Sequence, residues 1–266
     1  MILQQVVMIL IGFVGSFFSG LLGIGGAIIN FPLLLYVPEW FGYLPFTPKE
    51  VASISMVQVF FASLTGMLTN RIRARQRESL VHTKLVFHMG SATLAGSLIG
   101  SYASMMMSSS LINIIYGFLA VVAAALMIVP MRASLESRRV NEVEYNAYLA
   151  AGIAFVIGGI AGIVGAGGAF ILIPVMLSML RIPTRITIAS SLAIVFLSAV
   201  GGVIGKLAGG DIPLWPTVFA VVGSLLGAPV GILVSRRLNV RVLRFALAVL
   251  IAATAFKIWV DILGEI

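Results

Sequence analysis

Apolar runs near 20 residues follow one another along this 266-residue chain, and no other feature constrains the fold as much. A run of that length spans the hydrocarbon core of a bilayer as a helix. The runs specify an all-α polytopic membrane protein. Composition agrees: 60% of residues are hydrophobic and 10% charged, against about 25% charged in a soluble domain. Mean hydropathy is +1.13. The net charge of +8 is therefore read by side of the membrane, not as a nucleic-acid surface. With no cysteine, disulfides, zinc–thiolate sites, iron–sulfur clusters and a thiol nucleophile are excluded. The opening "MILQQVVMIL" lacks a basic n-region and a cleavage site, and reads as the start of a retained helix.

The apolar segments form two sets of five: 3–19, 27–37, 48–69, 85–103 and 110–130, then 147–161, 169–180, 186–205, 215–235 and 242–260. This divides the chain into a first membrane repeat (1–131), a cytoplasmic linker (132–146) and a second repeat (147–266). Landmarks recur in order. "GLLGIGGAIINFP" (20–32) matches "GIVGAGGAFILIP" (162–174), with Gly20, Gly23, Gly25, Gly26 and Pro32 against Gly162, Gly165, Gly167, Gly168 and Pro174. "TPKEVASISMVQVFF" (47–61) resembles "IPTRITIASSLAIVF" (182–196), and "GSLIGSYAS" (96–104) resembles "GSLLGAPVG" (223–231). Duplication is the simplest account.

Charge orients the halves. The loop 71–84 is basic, whereas its partner near 206–214 carries only Lys206. The loop 104–110 has no basic residue, whereas its partner 236–244 has four arginines. The positive-inside rule places equivalent loops on opposite faces. The expectation is two inverted-topology repeats in the inner (plasma) membrane, with both termini extracytoplasmic. All 17 basic residues except Lys49, Lys206 and Lys257 then fall inside. Inverted repeats characterise secondary transporters, which bind substrate near the midplane.

The first two segments of each half form a broken or re-entrant hairpin. Their second arms, 27–37 and 169–180, reach only about 17–18 Å, short of a core of about 30 Å. Broken backbone at membrane depth is tolerated where it lines a cavity or is buried in protein. Amides at the tip and the positive end of the second arm would make an anion site. Tight helix packing is the other reading of the same glycines; for "GSLIG" and "GSLLG" packing suffices.

All nine acidic residues lie in loops or at segment ends. Without a central carboxylate, cation transport and carboxylate-based proton coupling are disfavoured. Among the polar groups within spans, Asn30, Gln58, Ser53, Ser55, Ser190 and Ser191 stand out. Each can donate to an anion, and the serines can equally bond a neighbouring helix. Asn30, beside a ligand turn, is read as part of the site; its counterpart is Leu172, so the site is not symmetric. His88 suits a proton relay or a structural bond. Lys84, Arg181 and Arg185 would draw anions to the inner mouth or anchor topology. Lys257 is expected to snorkel outward, and Trp40, Trp215 and Trp259 to form an outer belt.

The duplicated "GLLGIGGAIINFPLLL" and "GIVGAGGAFILIPVML", each opening a half, resemble the sulfite exporter TauE/SafE family of bacterial permeases. That resemblance implies movement of sulfur-containing anions such as sulfite, sulfoacetate and other organosulfonates. It also implies that the glycines and prolines of 20–32 and 162–174 line the substrate path. The expected substrate-binding set is therefore Gly23, Gly25, Gly26, Asn30, Pro32, Ser53, Gln58, Gly165, Gly167, Gly168, Pro174, Ser190 and Ser191. The expected partners are a small anion and membrane lipids, with no nucleic acid, metal or cofactor; a homo-oligomer is left open. Export by voltage-driven uniport is the preferred mechanism. A proton-coupled importer, an integral-membrane enzyme and a scaffold without cargo are the alternatives.

Overall fold

A computed structural model describes residues 2–22, 27–74, 81–128, 145–210 and 212–235, together with 245, 249, 252–253, 256–257 and 259–260. Among these residues every regular element is helical: α1 Ile2–Leu22, α2 Ala27–Trp40, α3 Pro48–Ala74, α4 Thr83–Ala103, α5 Ser109–Ile128, α6 Ala147–Val164, α7 Ala169–Ser178, α8 Thr184–Gly209 and α9 Leu214–Ser235, with a 3-10 turn at Ser104–Met106. Within the expected tenth segment, 242–260, the described residues are helical.

Five helices, α1, α3, α6, α8 and α9, are long and apolar enough to cross a membrane. Helix α4 is equally long, at 21 residues, but is diluted by small polar residues. Thr93, Ser97 and Ser101 are all buried, because α4 lies between α6 and α8 and its polar face meets protein. Helix α2 has 14 residues and α7 has 10, about 21 Å and 15 Å long. Both fall short of a bilayer core.

Glycines let two helix pairs touch backbone to backbone. A Cβ at Gly12 or Gly20 of α1 would meet the carbonyls of Ala220 or Ala228 of α9. One at Gly96 or Gly100 of α4 would meet those of Phe155 or Gly159 of α6. Both pairs are the small-residue seams by which membrane helices associate. The first helix of each set thus packs on the fourth helix of the other. The pairing in space is one turn out from that read in the sequence. Gly96 meets Phe155, whereas the glycine meeting the equivalent Phe13 carbonyl is Gly227, not Gly223.

Contact order gives helix direction. Gly12 with Ala220 and Gly20 with Ala228 set α1 and α9 parallel; Gly96 with Phe155 and Gly100 with Gly159 do the same for α4 and α6. Gly201 on Leu94 and Gly205 on Leu98 set α8 parallel to α4. Helix α3 runs against α8. Lys49 at its start reaches Met105 while Lys206 near the end of α8 reaches Ser104, and Phe60 meets Phe196 midway, with ring centroids 5.3 Å apart.

Lys206 corrects an expectation. It was read as an outer-loop residue, but α8 continues to Gly209 and leaves Lys206 only 3% exposed. Lys257 is exposed, its ammonium 4.1 Å above the Tyr36 ring centre. Trp40 and Trp215 are exposed, and Trp259 is half-buried.

Candidate functional site

The second break is fully described. Helix α6 ends at Val164, and Gly165 caps it in the left-handed region, φ 77°. Gly165 and Ala166 both donate their amides to the Ala161 carbonyl. Gly167 and Gly168 also have positive φ before α7 begins at Ala169, a conformation that favours glycine. Space imposes the same choice. A Cβ at Gly165 would strike the Ala52 carbonyl of α3, and one at Gly167 would lie 2.6 Å from Val59 and 3.3 Å from Val195. The α-carbon faces of this tip are thus packed on α3 and α8. Its polar resource is the opening of α7, where the first amides have no intrahelical acceptor. Pro174, inside α7, removes one more backbone amide and frees the carbonyl four residues earlier.

At the first break, α1 ends at Leu22 and α2 begins at Ala27. Gly23, Gly25 and Gly26 lie outside the described residues. Asn30 is fully buried, with its carboxamide against the backbone of Gly15, where a side chain would collide with it. Gln58 is fully buried and donates from Nε2 to the Gly12 carbonyl at 3.2 Å. Both amides therefore abut one turn of α1. Both polar atoms of Asn30, Oε1 of Gln58 and the hydroxyls of Ser16, Ser19 and Ser55 have no hydrogen-bond partner among the described residues. Most buried polar atoms in a folded protein are paired; Ser97, Asn113, Ser198 and Trp259 also carry such atoms among the described residues.

Neighbouring residues of α3 face different partners: Gln58 donates to Gly12 of α1, and Val59 meets Gly167 of the second break. Ala52, under Gly165, lies less than two turns back along the helix. Asn30 lies against Gly15 of α1, one turn from Gly12. Pro32 is half-buried in α2, two residues beyond Asn30.

The serines have local duties. Ser53 donates to the Lys49 carbonyl, and Ser191 to that of Ile188. Ser190 accepts the His82 amide at 3.0 Å, tying α8 to the start of α4. Ser16 and Ser19 were missed by the sequence reading. Their signal was small polar residues in the first apolar segment, ahead of the glycine motif.

A second polar junction lies where α4 and α6 begin. His82 caps α4 by accepting the Leu85 amide on Nδ1 at 3.1 Å. Its ring stands edge-on to Tyr145, whose hydroxyl is 3.1 Å from His88 Nδ1. Burial lowers the His82 pKa below the ordinary imidazole value, a backbone hydrogen bond opposes this, and Lys84 adds to the lowering. Burial raises that of Tyr145. An open cavity of about 470 Å³ adjoins this junction, lined by His88, Ser91 and Tyr148. Lys84 and Arg181 are exposed.

Known proteins give this arrangement a context. The probable membrane transporter protein YunE of Bacillus subtilis is 24% identical over 258 residues, covering 89% of this chain and 90% of its own length. The probable membrane transporter protein YdhB of the same organism is 26% identical over 228 residues, covering 84% and 87%. The probable membrane transporter protein MJ0441 of Methanocaldococcus jannaschii is 24% identical over 204 residues, covering 75% and 71%. No solved structure matches the chain. Residues 8–258 match the family model Sulfite exporter TauE/SafE, and the chain belongs to that family of membrane transporters.

Proposed function

We propose that this transporter carries a small sulfur-containing anion, such as sulfite, sulfoacetate or another organosulfonate, out of the cell by voltage-driven uniport. The observation that carries the reading is the set of unpartnered buried groups around Asn30, in a protein with no carboxylate among its described buried residues. Amide and hydroxyl donors suit an oxyanion, and a buried carboxylate would repel one. Sulfur as the central atom comes from family membership. A monoanion leaving an inside-negative cell gains about 2.3 kcal/mol per 100 mV and needs no coupling ion.

Alternating access follows if 1–131 and 147–266 are inverted repeats joined by a cytoplasmic linker in the inner membrane, both termini outside. The opposite run of α3 and α8, equivalent helices of the two sets, supports this. So does the reciprocal packing of α1 on α9 and of α6 on α4. The two breaks would then approach one anion from opposite faces.

The test is flux of sulfite, sulfoacetate, taurine, sulfate and acetate in proteoliposomes under clamped voltage. Sulfite or sulfonate flux that follows voltage without a proton gradient is the expected result. Flux that requires a proton gradient at zero voltage would overturn uniport in favour of proton-coupled uptake. Absence of flux for every sulfur anion would overturn the substrate class.

A further inference from the structure

Helices α4 and α6 are sealed backbone to backbone from Thr93 and Gly158 onward, where a Cβ on Gly158 would meet the Thr93 carbonyl. Nearer their starts a cavity of about 470 Å³ opens between them. His88, Ser91 and Ala92 line it from α4, and Ala147, Tyr148 and Ala151 from α6. The spacings put the first three on one face of α4. Half of the lining is alanine, so the space persists because no larger side chain fills it. The volume lies in the range of small-ligand pockets. Helix α6 is long and apolar enough to cross a membrane, and the first turns of such a helix lie where headgroups meet acyl chains.

The lining suits a ligand with a charged head and an apolar body. Lys84 is exposed one turn before the half-buried His88, on the same face of α4. Neither helix contains an acidic residue. The segments that lead into them, 71–84 and 132–146, carry eight basic residues against four acidic ones, Glu78, Glu136, Glu142 and Glu144. Such an excess beside a spanning helix attracts anionic headgroups. The amides of Tyr148 and Leu149 at the start of α6 are already taken by the Asn146 side chain, so a ligand's charge must be met by side chains. Phe87 and Leu149, next in the chain to His88 and Tyr148, are exposed apolar groups.

We propose that this cavity binds an anionic phospholipid, its phosphate on Lys84 and His88 and the first stretch of an acyl chain over Ala92, Ala147 and Ala151. A soluble phosphate would use the same charges and leave the alanines wet; a lipid covers both. The occupant would also brace a junction of three helices. His88 Nδ1 lies 3.1 Å from the Tyr145 hydroxyl, the Tyr145 ring stands edge-on to His82, and the His82 amide donates to Ser190 of α8. The site does not depend on which substrate the transporter carries.

The experiment uses the full chain in detergent, with phosphatidylglycerol, phosphatidylcholine and inorganic phosphate as separate probes. Native mass spectrometry counts retained lipid, and thermal unfolding reads stabilisation. Wild type should retain one phosphatidylglycerol and be stabilised by it, less by phosphatidylcholine and not by phosphate. Lys84→Gln should lower phosphatidylglycerol occupancy about fivefold, the worth of one basic residue at a lipid surface. Ala151→Leu and Ser91→Leu fill the cavity from opposite walls and keep every charge; each should lower occupancy at least about tenfold. Lipid held by surface charge alone would respond to Lys84→Gln and ignore both filling variants, and that result overturns the site. So does a wild type that retains no phosphatidylglycerol. Equal stabilisation by the two lipids overturns the anionic headgroup, and stabilisation by phosphate alone overturns the lipid in favour of a soluble anion. Ser91 is exposed, so Ser91→Leu decides if Ala151→Leu does not fold. Anion flux is measured separately, and its failure would leave this site standing.

Discussion

The two breaks share their glycine and proline positions, yet the residues at equivalent flanking positions differ. Asn30 corresponds to Leu172, Gly15 to Ile157 and Gln58 to Ala193. On the helices flanking the first break, Ser16, Ser19 and Asn30 hold buried polar atoms with no partner among the described residues. The second is closed by Val59, Val195 and the backbone at Ala52. A duplicated glycine motif therefore repeats a backbone device, the interrupted helix, without repeating its lining. The helices at the first break carry the unpartnered groups, and the second break is a tightly seated turn with Ser101 and Lys206 bonded to the end of α6.

The largest effect should come from disturbing the seat. Gly165→Leu places a side chain at φ 77° and against the Ala52 carbonyl. It should cost roughly 3–5 kcal/mol or abolish folding, read as thermal unfolding in detergent. A folded, stable variant would mean that the second tip is not packed as described.

Exchanging the linings tests the contrast directly. Leu172→Asn buries an amide in an apolar site and should destabilise by about 3 kcal/mol while leaving flux per folded molecule near wild type. Asn30→Leu removes two unpartnered buried atoms and should be neutral or stabilising by about 1–2 kcal/mol, yet lower flux at least tenfold. Equal loss of flux from both would show the breaks to be functionally equivalent. Gln58→Leu should have a smaller effect, a loss of about 1 kcal/mol with the bond to Gly12 and a several-fold fall in flux.

The smallest effect concerns the His82 junction at the start of α4. Its folded pKa is depressed, chiefly by burial, so the folded state binds its proton less readily than the unfolded chain. The stabilisation is present above the ordinary imidazole value of about 6.5 and is lost as pH falls through the lower folded pKa. The midpoint of thermal unfolding should drop modestly below pH 6.5 in wild type and less in His82→Asn. An equal drop in both would assign the pH response to another group.

Much of the architecture was legible because it is written locally. Hydrophobic runs announced the helices, and the recurring glycine motif announced the second break where Gly165 is now seen. The absence of acidic residues from the middle of the apolar runs was equally plain. Asn30 and Gln58 were legible as polar residues within apolar runs. Ser16 and Ser19 were not singled out, since two serines in an apolar segment are ordinary until burial leaves them unpartnered. Lys206 was misplaced because helix ends are poorly specified locally, and one further turn of α8 carries it from a loop into the interior. The register of the glycine seams differed by one turn, since "GSLIG" and "GSLLG" fit either alignment as text.

What the sequence determined by itself was a helical membrane protein with two matched interruptions, because span length, hydrophobicity and glycine conformation are properties of neighbouring residues. What only the tertiary structure decided was which side chains meet. Asn30 lies on Gly15, Gln58 reaches Gly12, Val59 closes on Gly167, and Lys49 joins Lys206 at one turn. Most of these encounters join residues distant in the chain. Each depends on the close approach of helices and on burial that removes water from polar groups, and no local pattern encodes either.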